Sequence, residues 1–299
     1  MSIAALGRRD FALLLLICVV WACNFLFSAM GLREIPPFLF TALRFLVLLA
    51  ALAVFMRIPP RSQWARLVVV SLTVGVVHFS LSFVALRLAG DLSSPAIVLQ
   101  SYIPMTTLLA WWLLGERFGW HTGLAIAISF SGLLVLGFDP HILSKPVALL
   151  SMLCSAFALA LGTVWMKGMQ GFDMPNQQGW MAAISLLPLL ALSLIAEPGA
   201  LAALPQASGK AWLGVAYAAL ASSLLGHGLY YVLVKRHPVA LLMPWLLLVP
   251  VLAVALGVLF WGDRPGPRIL FGGAMVLGGI LVIALRKRAN ASARHPQEI

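Results

Sequence analysis

The chain has 299 residues, of which 62% are hydrophobic and only 10% are charged. A soluble domain carries about 25% charged residues, so this composition excludes a soluble globular protein and indicates a membrane protein. The formal net charge is +11, but the charges are spread over short segments between apolar stretches, so we expect no nucleic-acid partner.

Ten apolar stretches follow one another along the chain, each close to the roughly 20 residues that a helix needs to cross a bilayer. In chain order they run from Phe11 to Gly31, Pro36 to Met56, Leu67 to Leu86, Leu92 to Gly115, Phe118 to Phe138, Val147 to Met166, Gln177 to Ala196, Ala211 to Val234, Val239 to Gly262 and Ile269 to Leu285. Barrel strands would be shorter and would alternate in polarity. The sequence therefore predicts an all-α protein with ten transmembrane helices in a lipid bilayer.

Lysine and arginine lie mostly on one side of these predicted helices. If both termini are cytoplasmic, the cytoplasmic segments hold 13 of the 20 basic residues and the outer segments hold 6. This bias follows the positive-inside rule, so the sequence predicts a multi-pass protein of a bacterial inner membrane with both termini in the cytoplasm. The three cysteines all fall within predicted helices and form no CxxC pair, so we expect no disulfide, metal site or cofactor.

An internal repeat divides the chain. The segment "GERFGWHTGLAIAISFSGLLVL" from Gly115 aligns without gaps with "GDRPGPRILFGGAMVLGGILVI" from Gly262, and Pro104 and Pro250 precede the two segments by similar distances. Chance similarity between apolar helices is the alternative, and the shared polar turn argues against it. Because each half has an odd number of helices, the halves have opposite orientations, as in many transporters whose site lies between inverted repeats. We expect a first half at 1–138, a linker at 139–146, a second half at 147–286 and a basic cytoplasmic tail at 287–299.

Several residues together resemble the EamA branch of the drug/metabolite transporter superfamily. They are Trp21, Asn24, Phe25, Pro36, Pro37, Leu43, Arg44 and Phe45, the Gly-Glu-Arg turn at 115–117 and the Gly-Asp-Arg turn at 262–264. The resemblance covers all ten predicted helices and is greatest to YddG-type amino-acid exporters. It implies a ten-helix, basket-shaped carrier of small metabolites, commonly an exporter. One departure is Ala29, where many relatives carry a lysine, so no role of that lysine is transferred to this chain.

Polar and amphipathic side chains within the predicted helices are the candidate substrate-binding residues, because such groups usually face the interior of a helix bundle. They are Asn24, Arg44, His78, Ser82, Gln100, Tyr102, Trp165, Ser223, His227, Tyr231 and Trp245. The third and eighth predicted helices are counterparts in the repeat, and both carry polar residues four positions apart. This pattern predicts a polar stripe on two walls of a central cavity.

Each candidate also has a structural interpretation. A serine often bonds to its own helix, and a histidine can satisfy a hydrogen bond between helices. Gln100 and Tyr102 precede Pro104, which predicts a kinked helix with polar groups at the kink. Arg44 lies too deep to reach the membrane surface, so it is either a tie between helices or a group that attracts a carboxylate.

The predicted helices carry no Asp or Glu near their middles, which disfavours a sodium site and a preference for cationic drugs. A neutral or zwitterionic small-molecule substrate suits the interior better. We therefore predict a secondary carrier that exports amino acids or similar metabolites by alternating access. The alternatives are a sugar-phosphate or nucleotide-sugar exchanger, a multidrug exporter, a non-transporting receptor and an intramembrane enzyme, although no protease or P-loop motif supports the last. Small residues on the tenth helix leave a dimer open, but we favour a monomer.

Overall fold

The computed structural model describes residues 6–169, 172–237 and 239–294 of the chain, and no strand occurs among them. Ten helices in these ranges are long and apolar enough to cross a membrane, which confirms the predicted fold class. They are α1 (Arg8–Leu32), α2 (Pro37–Phe55), α3 (Arg61–Ala89), α4 (Ser93–Leu114), α5 (Trp120–Gly137), α6 (Pro146–Met166), α7 (Met174–Ala196), α8 (Gly209–Arg236), α9 (Pro244–Trp261) and α10 (Pro267–Arg286).

The ends of these helices follow from proline and glycine. Pro37 and Pro267 occupy the first positions of α2 and α10, where the missing N–H costs no hydrogen bond. Gly90, Gly115 and Gly262 end α3, α4 and α9 with φ values of 70°, 66° and 82°, a left-handed conformation that favours glycine. The glycines of the two repeated polar turns therefore terminate equivalent helices in the two halves.

Both halves contain a broken helix at equivalent places. In α4 the helical segments Ser93–Leu99 and Tyr102–Leu114 are separated by a turn. In the second half the segment Val239–Leu246, which begins before α9 and runs into it, is separated at residue 247 from the segment Leu248–Leu256 of α9. Each break lies a few residues before a proline at 104 or 250, whose ring clashes with the preceding turn of the helix. The kink predicted from Pro104 is confirmed.

The contacts between the halves are reciprocal. Helix α1 packs on α8 and α9 of the second half, and the equivalent helix α6 packs on α3 and α4 of the first half. Helix α2 packs on α7, and α5 packs on α10, so these two pairs each join a helix to its own counterpart. This pattern is what two inverted, interlocking five-helix halves produce.

The α5–α10 pair illustrates the symmetry at atomic detail. A Cβ built on Gly132 would lie 2.6 Å from the carbonyl oxygen of Gly272, and a Cβ built on Gly279 would lie 2.5 Å from that of Ala125. The repeat alignment pairs Gly132 with Gly279 and Ala125 with Gly272, so the two close approaches are equivalent. Two glycines on the small-residue face of α10 therefore serve close packing within the molecule.

The connections alternate between the two ends of the bundle. Segments 33–36, 90–92, 138–145, 197–208 and 262–266 lie at one end, here named the Asp263 end. Segments 56–60, 115–119, 167–169 and 172–173 lie at the opposite end, here named the Glu116 end. The candidate site residues occupy helices between these ends.

Candidate functional site

Arg44 of α2 is the most deeply buried charged side chain among the described residues, with 2% of its surface exposed. Its Nε and Nη2 atoms donate hydrogen bonds to Ser223 Oγ of α8, at 3.1 and 2.7 Å. Its guanidinium carbon lies 3.9 Å from the ring centre of Phe79, with Phe45 and Phe83 at 5.5 and 5.8 Å. Arg44 therefore joins the first half to the second through the Ser223 hydroxyl, while three aromatic rings of its own half surround the guanidinium.

The charge of Arg44 is not balanced by an acid. No carboxylate of the described residues lies within 4.0 Å of it, and its Nη1 atom is buried without a hydrogen-bond partner. Cation–π contacts contribute about 2 kcal/mol when desolvated, which offsets only part of the cost of burying an ion. Arg44 is thus a partly satisfied cation between the two halves.

His78 of α3 is tied to α6. Its Nδ1 atom lies 2.8 Å from Ser155 Oγ, and that hydroxyl donates its single proton to the carbonyl oxygen of His78 at 3.0 Å. Nδ1 must therefore carry the hydrogen in this contact, which leaves Nε2 as the unprotonated acceptor of the neutral ring. The interhelical bond that was one of two interpretations of His78 is present, and it still leaves one ring nitrogen for another partner.

His227 of α8 shows the same tautomer for a different reason. Its Nδ1 lies 3.0 Å from the Ser222 carbonyl oxygen, which can only accept, so Nδ1 donates. The same oxygen accepts the indole N–H of Trp21 of α1 at 3.2 Å. The Trp21 ring lies 5.1 Å from His227 and 5.6 Å from Tyr230. These half-buried rings form an aromatic wall between α1 and α8.

Widened π-helical segments position both histidines. Residues Ser71–His78 of α3 and Tyr217–Gly226 of α8 have this geometry, so one histidine ends its segment and the other directly follows its own. In the second segment Ser223 Oγ donates to the Ala218 carbonyl at 2.8 Å, five residues back. A Cβ on Gly226 would lie 2.5 Å from the Trp21 indole nitrogen, so glycine makes room for that ring.

Gln100 and Tyr102, the two candidate residues at the break in α4, have different surroundings. The Gln100 side-chain amide donates to the Ala96 carbonyl at 3.4 Å and is 8% exposed. Tyr102 is half-buried and packs against a buried cluster formed by Leu109 and Ala110 of α4 and Ala160 and Val164 of α6. Tyr102 therefore lies where α4 meets α6 of the second half, whereas Gln100 bonds within α4.

The other predicted residues have varied surroundings. The side-chain oxygen of Asn24 accepts from Ser28 within α1 at 3.4 Å, and Ser82 is half-buried on α3. Trp165 packs half-buried against a buried cluster between the halves, and the Tyr231 ring carries Lys235 at 4.6 Å.

The described contacts of Trp245 include none with the Arg44 cluster, which consists of Arg44, Ser223, Phe45, Phe79 and Phe83. Its ring meets Phe11 edge-on at 5.0 Å, its carbonyl accepts the Cys18 thiol at 3.5 Å, and it is 39% exposed. Residues that the sequence did not single out as binding candidates, Phe79 and Ser155, contact Arg44 and His78 directly. A signal for the aromatic contacts was present in the sequence, because Phe79 directly follows His78 and Phe83 lies four residues further on.

The Asp263 end is closed by contacts between the halves. Asp263 accepts hydrogen bonds from the backbone N–H of Leu92 and from the N–H and hydroxyl of Ser93, at 2.9, 2.9 and 2.6 Å. Next to it, the Trp261 indole donates to the Gly90 carbonyl at 3.1 Å, and Arg33 stacks over the Trp261 ring at 4.0 Å. These contacts hold the starts of α4 and the ends of α1 and α9 together.

Two clefts in the structure lie elsewhere. A cavity of about 20 Å³ lies at the Asp263 end beside Asp91, His141 and Lys145. An apolar groove of about 460 Å³ lies between α3 and α6, lined by residues such as Val77 and Phe157. Neither includes a residue of the Arg44 cluster, and the Arg44 side chain itself is buried.

Two inverted five-helix halves with a buried cation and two histidines at their boundary define the protein as a membrane transporter. The chain belongs to the EamA-like transporter family, whose sequence model matches residues 10–138 and 146–285.

Named relatives are similar over nearly the whole chain. A protein of Salmonella typhimurium strain LT2 called probable amino-acid metabolite efflux pump is 29% identical, covering 97% of this chain and 99% of that protein. A protein of the same name from Escherichia coli K12 is 27% identical over 93% of this chain and 95% of its own. The uncharacterized protein PA1977 of Pseudomonas aeruginosa is 31% identical over 96% of this chain and 98% of its own.

A solved crystal structure has a similar fold. It is 20% identical with a TM-score of 0.63 and covers 94% of this chain and 100% of its own. At that identity the likeness shows the fold alone. The family and the ten apolar helices together establish a multi-pass membrane transporter.

Proposed function

We propose that this protein is a secondary carrier that exports amino acids or similar small zwitterionic metabolites across a bacterial inner membrane. The observation that carries this substrate class is the similarity over nearly the full length to two proteins named probable amino-acid metabolite efflux pump. The candidate site agrees in its chemistry, because a cation, imidazoles and aromatic rings suit a molecule that has both a carboxylate and an apolar part.

The residues of the site support a small neutral or zwitterionic cargo over the two other transport classes. A sugar phosphate needs several basic groups, whereas Arg44 is the one lysine or arginine midway along the ten helices. A cationic drug needs a buried carboxylate, and Arg44 would repel it. The substrate-binding set comprises Arg44, His78 and the aromatic wall of Trp21, His227 and Tyr230, with Tyr102 at the break of α4.

Alternating access follows from the reciprocal contacts between the halves. We assign the first half to 1–138 and the second to 147–286, joined by 139–146. On the basis of the positive-inside rule we assign the Asp263 end to the periplasmic side and both termini to the cytoplasm. In the described state the periplasmic end is therefore shut by the Asp263 and Trp261 contacts, and the substrate enters from the cytoplasm.

Uptake of labelled amino acids into liposomes that hold the purified protein tests this proposal. We expect protein-dependent flux for at least one neutral amino acid that unlabelled substrate saturates. Flux of phosphorylated sugars with none for any amino acid would contradict it, as would no flux of either. Liposomes without protein provide the background.

A further inference from the structure

We infer that Arg44 is the residue that recognises the substrate carboxylate. The inference rests on the proposed function and adds the group by which the carrier would select its cargo. Its starting point is the guanidinium fork, of which Nε and Nη2 are held by Ser223 while Nη1 is buried without an acceptor. The two anchored nitrogens fix the plane of the guanidinium, so the two N–H groups of Nη1 are available to an oxygen acceptor in that plane.

Electrostatics favour an anion in that position. Arg44 has no acidic partner among the described residues, and it lies where α2 of the first half meets α8 of the second. A buried cation without a counter-ion attracts a carboxylate most strongly where water is excluded.

The Phe79 ring covers the Arg44 guanidinium. It is half-buried and stacks on the guanidinium at 3.9 Å, so a carboxylate reaches Nη1 when the ring swings aside. Binding then exchanges a cation–π contact for an ion pair. The aromatic wall of Trp21, His227 and Tyr230 is left to receive the rest of the molecule.

A comparison of leucine with leucinamide tests the inference without any variant, because the amide keeps the size and loses the negative charge. In liposomes holding the wild-type protein, we expect unlabelled leucine to inhibit labelled leucine flux at a concentration about tenfold or more below that of leucinamide. Equal inhibition by the two compounds overturns the role of Arg44 and leaves amino-acid transport standing. If the protein transports another amino acid but not leucine, the same comparison is made with that amino acid and its amide, with the same expected and contradicting results.

Arg44→Gln then separates recognition from a structural tie. We expect it to make inhibition by the acid as weak as inhibition by the amide, while Arg44→Lys keeps part of the difference. A loss of flux with an unchanged ratio between acid and amide overturns the inference. Ser223→Ala is the matched variant, since it releases the fork but keeps the charge, and we expect it to retain a preference for the acid.

The Asp263 contacts carry a second, independent inference: the geometry points to a latch that alternates between two carboxylates. Asp263 belongs to the second half and holds the first turn of α4 in the first half through three hydrogen bonds. It is 7% exposed, and a Cβ on Gly257 would lie 2.1 Å from its Oδ2, so a glycine keeps the space for it.

Glu116 is the repeat counterpart of Asp263 and lies at the opposite end. Both follow a left-handed glycine that ends an equivalent helix, α4 for Glu116 and α9 for Asp263. In the described state Glu116 Oε1 accepts from Lys167 at 2.6 Å, with both side chains about half exposed. When the halves exchange conformations, the inverted repeat brings Glu116 to the first turn of Val239–Leu246 and releases Asp263.

Distance measurements between paired spin labels test the latch in the purified, reconstituted protein. Labels replace Arg87 and Lys210 at the Asp263 end, and Arg117 and Lys235 at the Glu116 end. We expect Asp263→Ala to lengthen the first distance and shorten the second, and Glu116→Ala to leave the population in the state described here. The latch is overturned if Glu116→Ala shifts the two distances in the same way as Asp263→Ala does. It is also overturned if neither variant changes either distance.

Two further variants control that experiment. Ser93→Ala removes one of the three hydrogen bonds and should give a smaller shift in the same direction as Asp263→Ala. Thr163→Ala removes a hydroxyl that donates to the Leu159 carbonyl of its own helix α6, at 2.7 Å, and should leave both distances unchanged. An equal shift from Thr163→Ala would show a general loss of packing and overturn the latch.

Discussion

Gly132 and Gly272 approach each other across the two halves so closely that a Cβ on either one would lie 2.6 Å from the carbonyl oxygen of the other. The inverted repeat produces an equivalent close contact between Gly279 and Ala125. Helices α5 and α10 therefore meet along backbone rather than along side chains, which is how helices associate strongly in lipid.

Substitution of Gly132 by alanine should destabilise this contact, because backbone cannot move aside as a flexible side chain can. We expect Gly132→Ala to lower the free energy of unfolding by about 1–3 kcal/mol, seen as a lower midpoint of thermal unfolding in detergent. Gly278→Ala is the control, since a Cβ there meets nothing within 4 Å. Equal midpoints for the two variants would refute the packing account.

Gly226→Ala should disturb transport by moving Trp21. The added methyl group would lie 2.5 Å from the indole nitrogen and break the hydrogen bond to the Ser222 carbonyl. A lost hydrogen bond costs about 1 kcal/mol, so we expect flux to fall about fivefold in liposomes with normal protein content. Gly228→Ala is matched on the same helix and meets only the end of the Met174 side chain. It should transport normally, and an unaffected Gly226→Ala would exclude a role for the Trp21 position.

His78→Asn should separate the two roles of His78. The asparagine amide can still donate to Ser155 in place of Nδ1, but it has no atom at the position of Nε2. We expect normal thermal stability with transport reduced about tenfold or more, the size of effect typical when a positioned imidazole is lost. Normal transport by His78→Asn combined with His227→Asn would mean that neither ring lines the substrate path.

A pH-dependent contact outside the helices joins the two halves. Glu34 accepts the Ser208 hydroxyl at 2.6 Å and the Ser208 N–H at 2.7 Å, and these bonds, helped by Lys210, lower the pKa of Glu34 below its ordinary value. The folded state therefore favours the ionised form. Its contribution to stability is complete above the ordinary pKa of about 4.3 and is lost as the pH falls through the lower, folded value.

Glu34→Gln should remove that part of the acid sensitivity. We expect the unfolding midpoint of the wild-type protein to fall more steeply than that of Glu34→Gln as the pH is lowered from about 5 to about 3. Ser208→Ala keeps the N–H bond and should give an intermediate slope. Parallel curves for the wild-type protein and Glu34→Gln would contradict the assignment.

The sequence alone predicts the ten helices, because each apolar stretch must satisfy its own backbone in lipid. It also predicts the break in α4, because the effect of Pro104 is local. The Gly-Glu-Arg and Gly-Asp-Arg turns reveal the repeat, since a polar turn between apolar helices is informative in a way that apolar matches are not.

The interior of the site depends on contacts that no local pattern encodes. The π-helical segments Ser71–His78 and Tyr217–Gly226 widen where distant groups bind, such as Trp21 on the Ser222 carbonyl and Arg44 on Ser223. The α-helical spacing that put Ser223 and His227 on one face does not hold where π geometry intervenes. Trp245 is a large amphipathic residue of the kind that often binds a substrate, but its described contacts are with Phe11 and Cys18.

Counterflow is the most direct test of a carrier whose single site faces the two sides in turn. Liposomes that contain the purified protein are loaded with unlabelled leucine and diluted into a trace of labelled leucine. The account predicts that label accumulates transiently above its equilibrium level and then declines, because each outward trip of unlabelled substrate returns the site to the other side. Simple equilibration without this overshoot, for leucine and for every other amino acid tested, would contradict it.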